Sequence, residues 1–283
     1  MSQAPEPCLK AGLYIVATPI GNLGDITIRA AETLRGVAAV ACEDTRVTGR
    51  LLHHLGVKVR MIRYDDHADE RARVGILALA AESAVALVSD AGTPLISDPG
   101  FRLVREARER GIPVSSLPGP SALVVALTLA GLPTDRFVFA GFLPAKAKAR
   151  GEALEELAAV RATLVFYETG PRLVASLDAI GEVLPGREVA VARELTKLFE
   201  ECRTGRAAEL AEHYGAHPAK GEIVLLVGPP ADDGAAPDAA EIDRLLASAL
   251  ESAKPSQAAG EIARMHGLDR KTLYARALEL QGK

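Results

Sequence analysis

The chain is predicted to be an α/β protein of two lobes followed by a small helical unit. Strand-like apolar runs alternate with helical patterns through most of the sequence, which is the signature of βαβ units and a mostly parallel sheet. At 283 residues the chain exceeds the roughly 100–200 residues usual for one domain. A stretch of Asp, Gly, Ala and Pro at 231–238 separates the last strand-like run from a helical tail. The expected organisation is a lobe over 12–121, a second over 122–230, a linker over 231–238 and a helical unit over 239–283.

The first lobe reads as a strand over 13–18, a helix near 27–34, a strand over 37–42 and a helix near 45–55. A strand over 59–64, a helix near 68–82, a strand over 84–89, a helix from Phe101 and a strand over 113–117 follow. Short runs such as Ala84-Val85-Ala86-Leu87-Val88 lack polar alternation, as strands covered on both faces do. Pro118-Gly119-Pro120 breaks the chain, and Ser121 is placed to cap an apolar helix over 122–130. The second lobe shows strands over 137–142, 164–167, 188–192 and 222–227, the last ended by Gly228-Pro229-Pro230. In the tail, helices over 257–266 and 270–278 flank the turn Gly267-Leu268-Asp269, with Ala258, Ile262, Leu268, Leu273 and Leu278 as the expected core. A glycine-containing turn before a basic, hydroxyl-bearing helix is the pattern of a helix-turn-helix; a helical hairpin that only packs explains it equally well.

Three loops at predicted strand ends stand out. Ala17-Thr18-Pro19-Ile20-Gly21-Asn22-Leu23-Gly24-Asp25 follows the first strand, and glycine there lets a backbone approach a ligand closely. It lacks the Lys-Ser or Lys-Thr of a Walker loop and the spacing of a dinucleotide fingerprint. The run Ser89-Asp90-Ala91-Gly92-Thr93-Pro94-Leu95-Ile96-Ser97-Asp98-Pro99-Gly100 is longer than a connection requires and carries acids. In open α/β sheets ligands sit outside the carboxyl ends of strands, where all three loops, including 118–121, are expected.

Composition narrows the classes. A net charge of −4 gives no global basic field, so nucleic-acid contact would rest on local patches. Cys8, Cys42 and Cys202 are odd in number and outside any metal spacing, which fits a reducing cytoplasm and no metal site. The N-terminus lacks a basic stretch leading into an apolar one, so no signal peptide is expected. The longest apolar run, around 122–132, is too short to span a bilayer.

Taken together, these loops and the two-lobed reading resemble the tetrapyrrole methylase fold of S-adenosylmethionine-dependent methyltransferases. Cys42-Glu43-Asp44-Thr45-Arg46, Ser89 to Gly100, Leu117-Pro118-Gly119-Pro120-Ser121-Ala122 and Ala192-Arg193-Glu194-Leu195-Thr196-Lys197 narrow the resemblance to one branch. That branch is the cytidine 2′-O-methyltransferases of small-subunit (16S) ribosomal RNA, and the likeness covers about 12–230, with a similar helical appendage. It implies S-adenosylmethionine in a cleft between the lobes. Pro19 and Gly21 would form one wall, and Asp90, Ala91 and Gly92 would hold the amino-acid end. Ser121 and Ala122 match the Pro-Gly-x-Ser segment, and Tyr167 would stand near the adenosine. It also implies a homodimer and a cytidine near the decoding site. Where tetrapyrrole enzymes tend to have Gly-Asp-Pro, this chain has Ser89-Asp90-Ala91-Gly92-Thr93-Pro94, which favours the RNA branch.

A neutral 2′-hydroxyl is a poor nucleophile, so a base or nearby cation is expected to assist. The candidates are Glu43 and Asp44 beside Arg46, His67, and Arg193, Glu194 and Lys197, and the choice among them is open. Each has a structural explanation too: Glu43 and Asp44 suit a helix N-terminus, His67 a solvated loop, and Arg193 to Lys197 a charged strand end. Candidate RNA contacts are Arg46, Lys146, Lys148, Arg193, Lys197, Arg270 and Lys271, with Arg150 and Arg172 extending the path. Two rival readings are a tetrapyrrole C-methyltransferase of the same fold and a non-catalytic helix-turn-helix regulator.

Overall fold

The computed structural model describes residues 9–65, 70–230, 239–250, 253–266 and 268–280. The chain forms two compact units, 1–230 and 231–283. His67 and the expected linker at 231–238 lie outside the described residues.

In the larger unit, β1 (Gly12–Val16), α1 (Ile28–Gly36), β2 (Ala39–Cys42), α2 (Thr45–His54) and β3 (Arg60–Arg63) come first. They are followed by α3 (Glu70–Glu82), β4 (Ala84–Leu87), α4 (Phe101–Glu109) and β5 (Val114–Leu117). The strands form one sheet in the order β3-β2-β4-β1-β5, every pair parallel. All residues of β2 and β4 are buried, which is why these strands read as unbroken apolar runs. One face packs Val16, Val40 and Ala86 beneath Leu34 of α1 and Leu52 of α2. The other packs Leu13, Ala41, Val85 and Leu87 beneath Ile76 and Leu77 of α3 and Leu103 of α4. Because β4, β1 and β5 are neighbours running the same way, the loops that leave their carboxyl ends emerge side by side. Those are the three loops singled out from the sequence.

The second sheet is built from β6 (Phe137–Phe142), β7 (Thr163–Thr169), β8 (Glu188–Arg193), β9 (Glu201–Arg206) and β10 (Glu222–Val227), in the order β6-β7-β10-β8-β9. α5 (Ala122–Leu129) covers one face, with Leu123, Ala126 and Leu127 on Val165, Ala190, Ala192, Val224 and Leu226. α6 (Ala147–Glu156), α7 (Gly170–Val183) and α8 (Ala207–Ala216) cover the other, over Leu164, Phe166, Val189, Val191 and Leu225.

The expectation of a mostly parallel sheet holds for the first sheet and not for the second. There only β6 and β7 run parallel; β10 pairs antiparallel with β7 and β8, and β8 with β9. β9 had no sequence signal: Glu-Cys-Arg-Thr-Gly-Arg is polar because an edge strand needs no apolar cover. α6, α7 and α8 went unassigned as well. Ser121 sits at the N-cap position of α5 but makes no side-chain cap bond, contrary to the capping expectation.

Among the described residues, the smaller unit has the helices α9 (Ala239–Leu250), α10 (Pro255–His266) and α11 (Arg270–Leu280). Its core is Leu246, Ala259, Ile262, Ala263, Leu273 and Ala277, with Leu268 partly buried against it. Of the expected core, Ala258 is buried but outside this cluster, where Ala259 takes its place, and Leu278 is outside it because Ala277 takes the inward position and Leu246 of α9 joins the core. Asp269 starts α11 by accepting from Thr272 N at 2.9 Å and Thr272 Oγ1 at 2.8 Å. Arg276 clamps α11 to α9 through Asp243 at 2.6 and 2.7 Å. Among the described residues, no helix is long and apolar enough to cross a membrane.

Candidate active site

The three loops are knitted together by contacts that explain their composition. Thr18 N donates to Gly92 O at 2.9 Å and Gly92 N returns a bond to Thr18 O at 3.0 Å. Thr93 Oγ1 donates to Pro120 O at 3.0 Å, tying the second loop to the third. Gly119 lies so close to Ala17 that a Cβ there would stand 2.8 Å from the alanine methyl. Gly92 has φ +77°, a conformation that favours glycine, and a Cβ would meet Ile20 at 3.3 Å.

Between this platform and the second sheet is a cleft with a cavity volume of about 170 Å3, open to solvent at its mouth. Ile20, Asp90, Ala91, Gly92, Ser97, Asp98 and Ser121 line the first-lobe side, with Ala122 at the start of α5 beside them. Phe142, Tyr167, Glu194, Lys197, Glu222 and Val224 line the opposite wall. Phe139 and Phe142 meet Tyr167 edge-on, at 4.8 and 5.7 Å between ring centres. The lobes also touch directly: a Cβ on Gly21 would fall 2.6 Å from Lys197 Cε, so the lysine stem rests on that glycine. Lys197 Nζ pairs with Glu194 at 2.9 Å.

Electrostatically the cleft is acidic on the first-lobe side. Asp90 stands at the mouth and accepts from Asp44 N at 3.1 Å. Burial, reinforced by the charges of Glu43, Asp90 and Glu222, raises the Asp98 carboxyl to about 6, although Ser89 stabilises its ionised form. Glu43 is also raised, first by burial and then by Asp90. Burial and the Asp98 charge push the Tyr167 phenol up.

Asp90, Ala91, Gly92, Ser121, Ala122, Tyr167, Glu194 and Lys197 thus line one cleft; Pro19 and Gly21 flank Ile20, which lines it. The other candidates lie elsewhere. Asp44 caps α2 through Arg46 N at 2.7 Å, and Arg46 pairs with it at 2.6 Å while remaining highly exposed. Arg193 pairs with Glu201 at 2.5 Å across the β8–β9 register and does not line the cleft. Arg150 is buried and donates to Ala145 O, and Arg172 donates to Leu143 O and lies 3.2 Å from Glu168. Lys146 and Lys148 are exposed at the start of α6, Lys148 facing Glu152 at 3.7 Å. In the smaller unit Lys271 is exposed and Arg270 reaches Ser256 O at 3.3 Å. The residues sequence reasoning missed are Asp98, whose signal was its place in the acidic loop, and Phe142 and Glu222, which only the strand order brings to the cleft.

The lining suits S-adenosylmethionine. Carboxylates complement its ammonium and sulfonium charges, an aromatic cluster offers an apolar platform for a purine, and Gly92 leaves room that a Cβ would take.

Residues 12–211 match the Tetrapyrrole (Corrin/Porphyrin) Methylases family, and residues 236–281 match the RsmI C-terminal HTH domain. The chain is 65% identical over 276 residues to Ribosomal RNA small subunit methyltransferase I of Erythrobacter litoralis, covering 98% of this chain and 97% of that protein. The protein of the same name from Escherichia coli O157:H7 is 48% identical, covering 95% and 96%. Among solved structures, a diphthine synthase superposes with a TM-score of 0.61 at 14% identity, over 76% of this chain and 89% of that one. A uroporphyrin-III-C-methyltransferase from Thermus thermophilus gives 0.55 at 23%, over 77% and 94%. The structural neighbours share the fold, the close relatives share both sequence regions from end to end, and the chain belongs to the ribosomal RNA small subunit methyltransferase I family of the tetrapyrrole methylases.

Proposed function

We propose that the protein transfers a methyl group from S-adenosylmethionine to the ribose 2′-hydroxyl of a cytidine in 16S ribosomal RNA, near the decoding site. The observation that carries this reading is the acidic, glycine-walled cleft between the lobes, in a chain of this family. When bound there, S-adenosylmethionine supplies an electrophilic methyl on a positively charged sulfur. Asp90 at the mouth, with the backbone of Ala91 and Gly92, holds the amino-acid end. Ser121 and Ala122 support the middle, and Tyr167 with Phe142 flanks the base. Holding hydroxyl and methyl in line supplies roughly 7–11 kcal/mol of the barrier. The target nucleotide enters unstacked, because side chains read RNA at splayed-out positions. Lys197 is the cation on the cleft wall that meets its phosphate or ribose, and Arg46, Lys146 and Lys148 extend the basic surface.

Methyl incorporation from radiolabelled S-adenosylmethionine, with small ribosomal subunits and a tetrapyrrole precursor offered side by side, tests the reading. Label on a ribose of the RNA is the expected result; label in the tetrapyrrole alone refutes the substrate.

Arg270, Lys271 and the exposed Tyr274 give α11 a surface for nucleic acid. Removing 231–283 is expected to weaken RNA binding roughly tenfold or more and to flatten its salt dependence, since each lost phosphate contact lowers the slope by about 0.9 or less. Cofactor affinity should stay within about twofold, because the proposed cofactor contacts all lie in the larger unit; unchanged methylation kinetics would remove the tail from RNA recognition.

The reading includes a homodimer in the cytoplasm, where ribosomal subunits are assembled. Val124 and Leu129 on α5, and Leu198 and Phe199 beyond β8, are large apolar side chains left exposed on the larger unit. Light scattering at twice the 29.7 kDa chain mass is the expected result.

A further inference from the structure

Among the described residues, four that are not glycine have a left-handed backbone: Leu95 (φ 74°), Ser97 (φ 63°), Glu194 (φ 51°) and Thr196 (φ 63°). Such conformations are costly and persist only where the surroundings impose them. All four lie in the two loops that face each other across the cleft. The first pair leads directly into Asp98, and the next two residues lock it further. Pro99 restricts Asp98 to extended backbone. Gly100 (φ 133°) sits so tightly that a Cβ would be 2.8 Å from Leu87 Cδ2 and 3.2 Å from Leu95 Cδ1.

The side chain held by this geometry is a carboxyl that lines the cleft between the lobes. Ser89, Glu43 and Asp90 face it from the first lobe, and Tyr167 and Glu222 from the second. Of the other cleft acids, Glu222 lies on the opposite wall and three already have partners. Asp90 accepts from Asp44 N, Glu194 is neutralised by Lys197, and Glu168 is held by Ser176 Oγ at 2.6 Å and Thr169 N at 2.9 Å.

Building on the methyl-transfer reading, we propose that Asp98 is a catalytic residue, the group that takes the proton from the hydroxyl being methylated. The hydroxyl oxygen forms its bond to the methyl carbon as the carbon–sulfur bond breaks and its electron pair stays on sulfur. The hydroxyl proton passes to a carboxylate oxygen of Asp98, which is left neutral and later releases it to water. Charge balances: a sulfonium and a carboxylate become a thioether and a carboxylic acid. A carboxyl that titrates at about 6 is ionised at neutral pH and more basic than an ordinary carboxylate, as a proton acceptor should be.

The test is Asp98→Asn in the full-length protein beside wild type. Methylation of small subunits is expected to fall roughly 100- to 10,000-fold, with calorimetric affinity for S-adenosylmethionine within about threefold. In wild type, kcat/KM for the cofactor should rise with unit slope below pH about 6 and level off above it; the variant should lose that limb, and Asp98→Glu should keep it. Stability gives a readout free of activity. A carboxyl raised in the folded state binds extra protons there between about pH 4 and 6, so wild type loses stability as pH climbs through that window. The Asn variant should therefore melt higher than wild type at pH 8, with the gap closing by about pH 4. Unchanged methylation, or a loss of cofactor affinity as large as the loss of rate, would overturn the proton-acceptor role. A wild-type protein that binds cofactor but labels no ribose would instead overturn the methyl-transfer reading itself, and the role with it.

Discussion

Asp90→Ala is expected to weaken S-adenosylmethionine binding roughly 10- to 100-fold, measured by calorimetry, while leaving the melting temperature nearly unchanged. The magnitude is that of a hydrogen bond to a charged group, about 1.5–3 kcal/mol. Asp90 is exposed at the cleft mouth, so its removal leaves no cavity, and the hydrogen bond it accepts comes from the amide of Asp44. Water can satisfy that amide once the carboxylate is gone. Stability and binding therefore separate at this position, which they would not do at a buried acid. The conservative Asp90→Asn variant keeps an acceptor for Asp44 N and loses only charge. It should recover the loop geometry but not the full affinity, if the ammonium end of the ligand is what Asp90 holds. Wild-type affinity in Asp90→Ala would remove this loop from cofactor binding altogether.

The first sheet was legible in the sequence because burial on both faces leaves an unmistakable trace. Val40 and Ala41 on β2 point to opposite faces and both are fully buried, so no polar residue interrupts the run. Where a strand is buried on one side only, or lies at an edge, that trace disappears, as at β9. The loss carried over to the site. Without β9, the side chain of Arg193 looked free to reach substrate, whereas its register partner on that strand is Glu201. The antiparallel insertion of β10 between β7 and β8 is likewise invisible in the linear order, yet it is what carries Glu222 and Val224 to the cleft. The glycine and proline loops do come together at one cleft, for a reason that composition only partly conveys. Gly119, Gly92 and Gly21 are where one chain segment lies against another, Ala17, Ile20 and Lys197 respectively. Asp90 and Asp98 are chemically identical in the sequence; only the fold exposes the first at the cleft mouth and buries the second beside Glu43, Asp90 and Glu222, raising its carboxyl to about 6.

Gly100→Ala should be among the most damaging single substitutions in the larger unit. The residue holds φ +133°, outside the range an L side chain adopts comfortably, and a new Cβ would press to 2.8 Å from Leu87 and 3.2 Å from Leu95. Backbone strain of about 1–2 kcal/mol adds to overpacking of about 1–3 kcal/mol, so a destabilisation of about 2–5 kcal/mol is expected. For a unit of this size that lowers the melting temperature by about 4–20 °C. Gly56→Ala separates the two terms: its φ is +65°, yet nothing lies within 4 Å of the added carbon. It should cost only the backbone share, about 1–2 kcal/mol. Because Leu87 is fixed inside the sheet core, the added carbon can back away from it only if the loop backbone shifts, and Leu95, packed against the same carbon, shifts with it. Leu95 is one of the left-handed residues that set the direction of Asp98. The surviving folded fraction of Gly100→Ala should therefore methylate more slowly than its stability alone accounts for, and Gly56→Ala should not. Equal specific activity in the two folded variants, measured well below their melting temperatures, would show that the loop tolerates movement and that the strain does not serve the carboxyl.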